Sequence, residues 1–499
     1  MSTLTSGTTL PFDDDHFHEE CAVFGVWGAE GAAGLTALGL HALQHRGQEA
    51  CGIVAFDSGH FNVHRALGLV GDVFGKGSAD SDSNSPIARL TGRAAIGHTR
   101  YATSGRTMIR NIQPLWTDLD ESGGFALAHN GNLTNARQIK KELRAEGRRF
   151  QSTTDTEVIL DLVARSDERQ LVKRLVSAMK RIVGAYSLVA LSKKKLIAAR
   201  DPAGVRPLVL GRLEEAWVVS SETCGLDIIG ADFVRDVKPG EMIVIDENGM
   251  ESHFPLAEEP PHFCIFEYVY FSRPDSRVNG KDVYSIRRNI GRELAREEVV
   301  SADMVVPVPD SGTPSALGYA EILDIPFELA ITRNHYVGRS FIEPDQQHRD
   351  LAVLRKLNAN RGLLRGKRVV LVDDSIVRGT TSKRIVEMVR DAGATEVHLR
   401  IASPPTVSPC FYGVDTPSKS ELIYNQFESL DQVRNAIKVD SLAYLSIDGL
   451  YRAVGEARRS MEAGYCDACF SGDYAIPLLD ENDKGVDADQ GSLFHEGQR

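Results

Sequence analysis

The sequence has no apolar run near the roughly 20 residues that a membrane-spanning helix needs. Residues 1–20 also lack the basic and apolar regions of a secretory signal peptide. Basic side chains are in the minority, since 57 Lys and Arg stand against 69 Asp and Glu, which gives a net charge of −12. An acidic balance disfavours a nucleic-acid partner held by general electrostatics. We therefore expect a cytoplasmic protein with neither a membrane nor a nucleic-acid partner.

Cysteine is scarce, with seven in 499 residues. An odd number of cysteines in a large chain without a signal peptide argues against a disulfide framework and favours metal or catalytic roles. The hydrophobic content of 42% and the charged content of 25% are those of an ordinary globular protein. A chain of this length exceeds a single hydrophobic core, so we expect two or more domains.

The most informative stretch is residues 368–382, RVVLVDDSIVRGTTS. Val369–Val372 form a short apolar run of the kind found in strands buried on both faces of a parallel sheet. The run ends at Asp373 and Asp374, which are costly to bury unless a cation or hydrogen-bond donors meet them. The following loop contains Gly379 and several hydroxyl residues that could cap a helix. Carboxylates beside a helix N-terminus predict a site for a phosphate and for Mg²⁺ or ribose hydroxyls.

The pattern around this loop predicts a βαβ unit. A helix is predicted from about Ser382 to Asp391, ending at Gly393, and a second strand over Val397–Ile401. A separate strand, turn and helix begin near Val305, and the turn carries Ser311. An ordinary strand–helix turn with solvated acids is the alternative interpretation.

The loop resembles the phosphoribosyl pyrophosphate (PRPP) loop of type I phosphoribosyltransferases. That resemblance implies an α/β domain with a mostly parallel sheet, in which the loop backbone and hydroxyls hold the 5-phosphate of PRPP. It also implies a Mg²⁺ ion held by Asp373, Asp374 and Ser311, and a segment, residues 331–342, that closes over PRPP. The PRPP-binding residues that it implies are Asp373, Asp374, Ser375, Arg378, Gly379, Thr380 and Thr381.

A second candidate site begins at Cys21, where a polar, acidic leader gives way to a predicted strand over residues 21–28. Cleavage after Glu20 would place the Cys21 thiol and a free α-amine on one residue. An α-amine has a pKa of about 7.7–8.0 and can act as the general base for the thiol. A buried structural cysteine is the alternative interpretation.

Four further motifs favour the catalytic interpretation of Cys21. In this order and spacing they resemble the class II, or N-terminal-nucleophile (Ntn), glutamine amidotransferase domain, which has an α+β fold built as an αββα sandwich. The resemblance implies that Cys21 attacks the glutamine side-chain amide, and that Asn130 and Gly131 stabilise the oxyanion. It also implies that Arg100 binds the α-carboxylate of glutamine and Asp155 its α-amine. The motifs are Ala42–Gly52, Gly97–Thr103, Ala128–Leu133 and Ser152–Glu157.

Cys264, Cys410, Cys466 and Cys469 form a third candidate site. A Cys-x-x-Cys pair with two distant cysteines can hold zinc or an iron–sulfur cluster, and the spacing alone leaves both open, as well as unrelated burial. The chain resembles the glutamine PRPP amidotransferases from Cys21 to about Pro477. In one branch of that family, which also has a longer propeptide, these four positions ligate a [4Fe–4S] cluster.

This resemblance predicts the domain order. Residues 1–20 are the predicted propeptide, 21–256 the amidotransferase domain, 257–478 the phosphoribosyltransferase domain and 479–499 a flexible acidic tail. The implied reaction transfers ammonia released from glutamine to C1 of PRPP, releasing pyrophosphate and giving 5-phospho-β-D-ribosylamine for purine synthesis. The family also implies inhibition by AMP and GMP and a homodimer or homotetramer.

Two other functions share part of the pattern. An amidotransferase similar to glucosamine-6-phosphate synthase would share the Cys21 half but carry sugar-isomerase domains instead of a PRPP loop. A PRPP-sensing regulator of DNA binding would have no need of Cys21 and would show a basic N-terminus, in contrast to the acidic balance here.

Overall fold

The computed structural model describes residues 18–19, 21–75, 85–100, 108–119, 123–334, 356–458 and 464–482. Two stacked sheets dominate the N-terminal half. Their strands, with a short leader strand first, are β1 (His18–Glu19), β2 (Cys21–Trp27), β3 (Ala50–Asp57), β4 (His60–Leu67), β5 (Ala94–Arg100), β6 (Leu115–Leu119), β7 (Gly123–Leu133), β8 (Gly184–Ser192), β9 (Leu196–Arg200), β10 (Val209–Leu213), β11 (Ala216–Ser220), β12 (Asp232–Asp236), β13 (Met242–Asp246) and β14 (Gly249–His253).

Helices cover the outer faces of both sheets. The first sheet has the strand order β12-β10-β11-β2-β5-β3-β4 and the second the order β14-β13-β9-β8-β7-β6. Alternation along the strands separates an inner core between the sheets from two outer cores beneath the helices. The helices are α1 (Ala32–Ala42), α2 (Val70–Phe74), α3 (Pro86–Arg89), α4 (Ala136–Ala145), α5 (Thr156–Ala164), α6 (Leu171–Met179) and α7 (Cys224–Asp227), with 3₁₀ turns at Gln44–Arg46 and Ile109–Asn111.

The C-terminal half is built on a four-stranded parallel sheet. Its elements are β15 (Phe263–Cys264), a π-helical turn (Glu267–Phe271), β16 (Arg277–Val278), β17 (Lys281–Asp282), α8 (Val283–Glu297), β18 (Met304–Pro307), α9 (Thr313–Leu323), β19 (Ile331–Arg333), β20 (Leu357–Ala359), α10 (Arg361–Leu364), β21 (Arg368–Asp373), α11 (Thr380–Asp391), β22 (Glu396–Ile401), β23 (Val414–Asp415), α12 (Ile423–Gln426), α13 (Leu430–Ile437), β24 (Ser441–Tyr444), α14 (Ile447–Ala453), β25 (Tyr465–Cys466), α15 (Ala468–Ser471) and α16 (Leu479–Asn482).

The parallel sheet has the order β18-β21-β22-β24, with α8 and α9 against one face and α11 and α13 against the other. Val305 of β18 also forms a parallel bridge to Phe327 on the side away from β21. The segment after β18 therefore continues toward one edge of the sheet, and the segment after β21 continues toward the opposite edge. Ligands of open α/β sheets bind at such a switch point, outside the carboxyl ends of the strands.

Two boundaries differ from the sequence-based expectation. Helix α11 begins at Thr380 rather than near Ser382, because Gly379 takes a left-handed φ of 80° and starts the helix without a hydroxyl cap. Residues 479–482 form α16 instead of a flexible tail. The Asp480 carboxylate accepts hydrogen bonds from the Arg137 and Gln138 N–H groups in the first turn of α4, which holds this turn in place. Residues 483–499 lie outside the described residues.

The leader is described only at β1, which pairs antiparallel with β23 through His18–Asp415 and Glu19–Val414. The predicted domain boundary after residue 256 falls between β14 and β15. Among the described residues, no helix combines the length and the apolar content of a membrane span.

Candidate active sites

Cys21 and Asn130 both face the layer between the two N-terminal sheets. Cys21 starts β2, and Val23, two residues further on, belongs to the inner core with Ala128 of β7. Because strand side chains alternate, Cys21 shares the inward face of β2 with Val23, and Asn130 shares that of β7 with Ala128. Cys21 is only 6% exposed. The sequence-predicted nucleophile and oxyanion donor therefore lie on facing strands.

The Asn130 side chain is fully buried. Neither its Nδ2 nor its Oδ1 has a hydrogen-bond partner in the described part of the chain. A buried amide without a partner is destabilising by about 1–3 kcal/mol, so such a group points to a ligand that the site is built to receive. This amide is suited to a developing oxyanion.

Gly131 follows Asn130 at a φ of 137°, in the left-handed region. A Cβ atom there would lie 2.1 Å from the Ala185 carbonyl oxygen on β8. Only glycine therefore fits, and the peptide between Asn130 and Gly131 is fixed by the neighbouring strand.

The two predicted glutamine-binding residues lie at element ends beside this layer. Arg100 ends β5, directly opposite Cys21 in the β2–β5 pairing. Asp155 precedes α5, and its Oδ2 accepts a hydrogen bond of 2.9 Å from the Leu133 N–H. Burial raises the Asp155 pKa, but the His129 imidazole and the Leu133 N–H outweigh it and bring the pKa to about 2. Asp155 is therefore a carboxylate at neutral pH, as binding an ammonium group requires.

In the C-terminal half, Asp373 ends β21 and Asp374 follows it, both nearly fully buried. The Ser375 hydroxyl donates to Asp374 Oδ1, whereas Asp374 Oδ2 has no hydrogen-bond partner within the described residues. Burying a carboxylate oxygen without a donor is unfavourable. The oxygen therefore fits a ribose hydroxyl or a cation as its intended partner.

The remaining loop residues surround the N-terminus of α11. Gly379 starts the helix, and Thr380 and Thr381 lie in its first turn. The φ of 80° at Gly379 would strain any residue with a side chain, and an added Cβ atom would also displace Ile423 Cδ1, 2.2 Å away. Arg378 pairs with Glu421 at 3.2 Å. The N-terminal turn of a helix points backbone N–H groups outward, which suits it to bind a phosphate.

The turn that carries Ser311 lies beside the PRPP loop. The Val308 N–H donates to the Val372 carbonyl across β18 and β21, which brings the Ser311 turn to the carboxyl end of β21. Residues 335–342 of the predicted closing segment lie outside the described residues.

The four cysteines of the third site converge. Cys264 and Cys466 are opposite residues of the parallel pair β15–β25, and Cys469 follows in α15. The Cys469 carbonyl accepts hydrogen bonds from the Val407 and Ser408 N–H groups, which brings the Cys410 segment alongside. All four share one apolar core.

These thiols also influence one another electrostatically. Burial raises the Cys264 pKa to about 12 and the Cys466 and Cys469 pKa values well above the ordinary range, and the neighbouring thiols add to each shift. No group of three or more His, Cys, Asp or Glu side chains that could hold a metal ion is found among the described residues. A thiolate cluster is stabilised only when positive charge compensates it.

An ion-pair network that the sequence did not predict joins the two halves. Arg46 is fully buried and contacts both Glu222 and Glu267. Glu267 also pairs with Arg206 at 3.2 Å. The sequence shows Arg46 only as part of a polar motif, and no local signal indicates its distant partners.

Comparison with known proteins matches both halves to known domains. Residues 98–227 match the glutamine amidotransferase domain and residues 283–403 the phosphoribosyl transferase domain. The fold and the sites thus define a glutamine amidotransferase joined to a phosphoribosyltransferase. These two matches confirm the predicted two-domain fold. The phosphoribosyl transferase domain excludes the sugar-isomerase alternative, and the glutamine amidotransferase domain excludes the regulator alternative.

Full-length relatives give the family. The chain is 53% identical to the amidophosphoribosyltransferase of Rhizobium etli over 96% of each chain. It matches a solved structure of the allosteric regulatory enzyme of purine biosynthesis with 46% identity and a TM-score of 0.86, over 92% of this chain and 97% of the other. The PRPP amidotransferase of Bacillus subtilis, solved in complex with ADP and GMP, matches with 46% identity and a TM-score of 0.85, over 92% and 98%.

The chain therefore belongs to the amidophosphoribosyltransferase family. It is a transferase that uses glutamine to aminate PRPP, the first step of purine biosynthesis, and the predicted function is confirmed at this level.

Proposed function

We propose the following division of labour for the glutaminase half-reaction. The Cys21 thiolate attacks the side-chain amide carbon of glutamine, and Asn130 Nδ2 with the Gly131 N–H stabilises the tetrahedral oxyanion. Ammonia leaves, and water hydrolyses the Cys21 thioester to glutamate. Arg100 and Asp155 bind the α-carboxylate and α-amine. The observation that carries this proposal is the buried Asn130 amide on the strand facing Cys21, which has no hydrogen-bond partner among the residues that the structure describes.

The synthase half-reaction is assigned to the loop between β21 and α11. Asp373 and Asp374 bind the ribose hydroxyls of PRPP, and the backbone and hydroxyls from Ser375 to Ser382 bind its 5-phosphate. Ammonia attacks C1 and pyrophosphate leaves, giving 5-phospho-β-D-ribosylamine. Asp374 Oδ2, which has no hydrogen-bond partner in the described part of the chain, is available as an oxygen ligand, so Asp373, Asp374 and Ser311 would hold Mg²⁺. When bound, this cation offsets charge on the departing pyrophosphate.

We propose that the four-cysteine site holds a [4Fe–4S] cluster. Cys264, Cys410, Cys466 and Cys469 come from three distant segments of the chain, and burial together with the neighbouring thiols raises the pKa values of Cys466 and Cys469. Buried thiolates are stabilised when a positively charged metal compensates them. A cluster would crosslink these three segments and so restrict the unfolded chain. This proposal places the chain in the iron–sulfur branch of its family.

The same branch is processed at its N-terminus, and we propose cleavage between Glu20 and Cys21. Support comes from the start of β2 at Cys21 itself and from the need for a free α-amine as base. Cytoplasmic location, a homodimer or homotetramer, and inhibition by AMP and GMP complete the proposal. The complex of the B. subtilis enzyme with ADP and GMP supports nucleotide binding in the family.

One assay tests the division of labour. Pyrophosphate release from PRPP is measured with glutamine and then with ammonia as the nitrogen donor. Release with both donors, and glutamate formation with glutamine alone, is the expected result. Pyrophosphate release at the same rate when no nitrogen donor is present would contradict the proposal.

A further inference from the structure

The strand that carries the oxyanion residues is held at its end by the other half of the chain. Asn132, two residues after Asn130, donates from Nδ2 to the Phe411 carbonyl oxygen at 2.9 Å. Gly413 packs directly on Gly131: a Cβ atom at Gly413 would lie 2.8 Å from Gly131 Cα and 2.9 Å from its carbonyl carbon. The backbones of Gly413 and Gly131 are therefore in direct contact at the proposed oxyanion site.

A second C-terminal segment reaches the same strand end. The Thr134 hydroxyl donates to the Pro477 carbonyl oxygen at 2.7 Å, and the Asp480 N–H donates to the Thr134 carbonyl oxygen at 2.8 Å. Asp480 also holds the first turn of α4. The end of β7 and the start of α4 are thus both fixed from outside their own domain.

These two segments are tied to each other. The Tyr412 hydroxyl is buried, donates to the Ile476 carbonyl oxygen at 2.7 Å and accepts from the Ile476 N–H at 2.8 Å. We call residues 411–413 and 476–480 the clasp. The clasp is therefore one hydrogen-bonded unit that contacts both Gly131 and the end of β7.

We propose that the clasp positions the oxyanion site, with Asn132 and Gly413 as positioning residues for glutamine hydrolysis. The inference rests on the proposed oxyanion role of Asn130 and Gly131. Stabilising an oxyanion requires donors in place before the reaction, and a displacement of about 1 Å can lower a rate by roughly 100-fold. The glutaminase site is accordingly complete only when the C-terminal half is folded against it.

Gly413→Ala tests this directly, because the added Cβ must displace Gly131 or the clasp. We expect kcat with glutamine to fall by roughly 100-fold, with KM for glutamine changed by less than about twofold, since Arg100 and Asp155 are untouched. The rate with ammonia should be unchanged. Gly455→Ala is the matched control: φ at Gly455 is also positive, at 79°, but nothing lies within 4 Å of an added Cβ.

Asn132→Asp is a second, nearly isosteric variant that removes the donor to Phe411 without adding volume. Its control is Asn135→Ala, which removes another part-buried 2.9 Å Asn-to-carbonyl hydrogen bond, to Arg181, in the same domain, together with the acceptor of the Val183 N–H. We expect Asn132→Asp to reproduce the loss of kcat with glutamine, and Asn135→Ala to leave the ratio of the two activities unchanged.

Asn130→Ala separates the inference from the assignment on which it rests. If Asn130→Ala keeps normal activity with glutamine, the oxyanion assignment itself is wrong. If Asn130→Ala loses that activity while Gly413→Ala or Asn132→Asp keeps it in folded protein, the oxyanion site stands and the clasp inference is overturned. If Gly413→Ala or Asn132→Asp lowered the glutamine-dependent and ammonia-dependent rates equally, the clasp inference would also be overturned, because equal losses would indicate general misfolding.

Discussion

Arg46 and Glu267 lie in different halves of the chain and form a fully buried ion pair. Glu222 pairs with Arg46 and Arg206 with Glu267, so two positive and two negative charges meet at the domain junction. Burial raises the Glu222 pKa, but the charges of Arg46 and His45 reverse this and hold it well below the usual range. Removing one member leaves uncompensated buried charge.

Arg46→Met should therefore strongly destabilise the protein. Losing one partner of a buried ion pair costs about 3–5 kcal/mol, because Glu222 and Glu267 would remain desolvated without Arg46. Urea unfolding would measure the change. The control Arg288→Ala breaks a surface pair with Glu321, where about 0–1 kcal/mol is expected. Similar unfolding midpoints for both variants would show that the junction network contributes no more than a surface pair.

The PRPP loop should serve both nitrogen donors. Changing Asp373→Asn together with Asp374→Asn should lower PRPP-dependent pyrophosphate release with glutamine and with ammonia alike, because either donor needs bound PRPP. Asp391→Asn, at the far end of α11, is the control and should leave both rates unchanged. A double variant that loses only the glutamine-dependent rate would contradict the assignment.

The sequence predicted this loop well because its signals are local. The apolar run placed β21 to within one residue, and only the start of α11 shifted, by two residues, to Thr380. The junction and the clasp could not be predicted in this way. Arg46 and Glu267 are 221 positions apart, and Asn132 and Phe411 are 279 apart. A single sequence carries no periodicity or cap signal for such contacts.

The four cysteines should behave as one unit. Cys466→Ser should reduce folded yield and iron content more than it changes affinity for PRPP, because none of the four lies in the PRPP loop. Anaerobically purified protein should be brown, with a broad absorption band near ~400 nm that oxygen bleaches. Cys224→Ser, a buried cysteine of the N-terminal half, is the control and should keep its iron. Colourless, fully active protein with stoichiometric zinc would rule the cluster out.

The active protein should begin at Cys21. Cleavage after Glu20 exposes the α-amine that serves as base for the thiol, so intact-mass measurement of active enzyme should show loss of residues 1–20. Full glutaminase activity from a chain that still carries the leader would refute the requirement for processing.

The most direct test of the two-site account is Cys21→Ala, assayed for pyrophosphate release from PRPP with each nitrogen donor. The thiol acts only on glutamine, so the glutamine-dependent rate should fall to background while the ammonia-dependent rate stays within about twofold of the unmodified enzyme. A correctly folded Cys21→Ala protein that loses the ammonia-dependent rate, or keeps the glutamine-dependent one, would contradict the account.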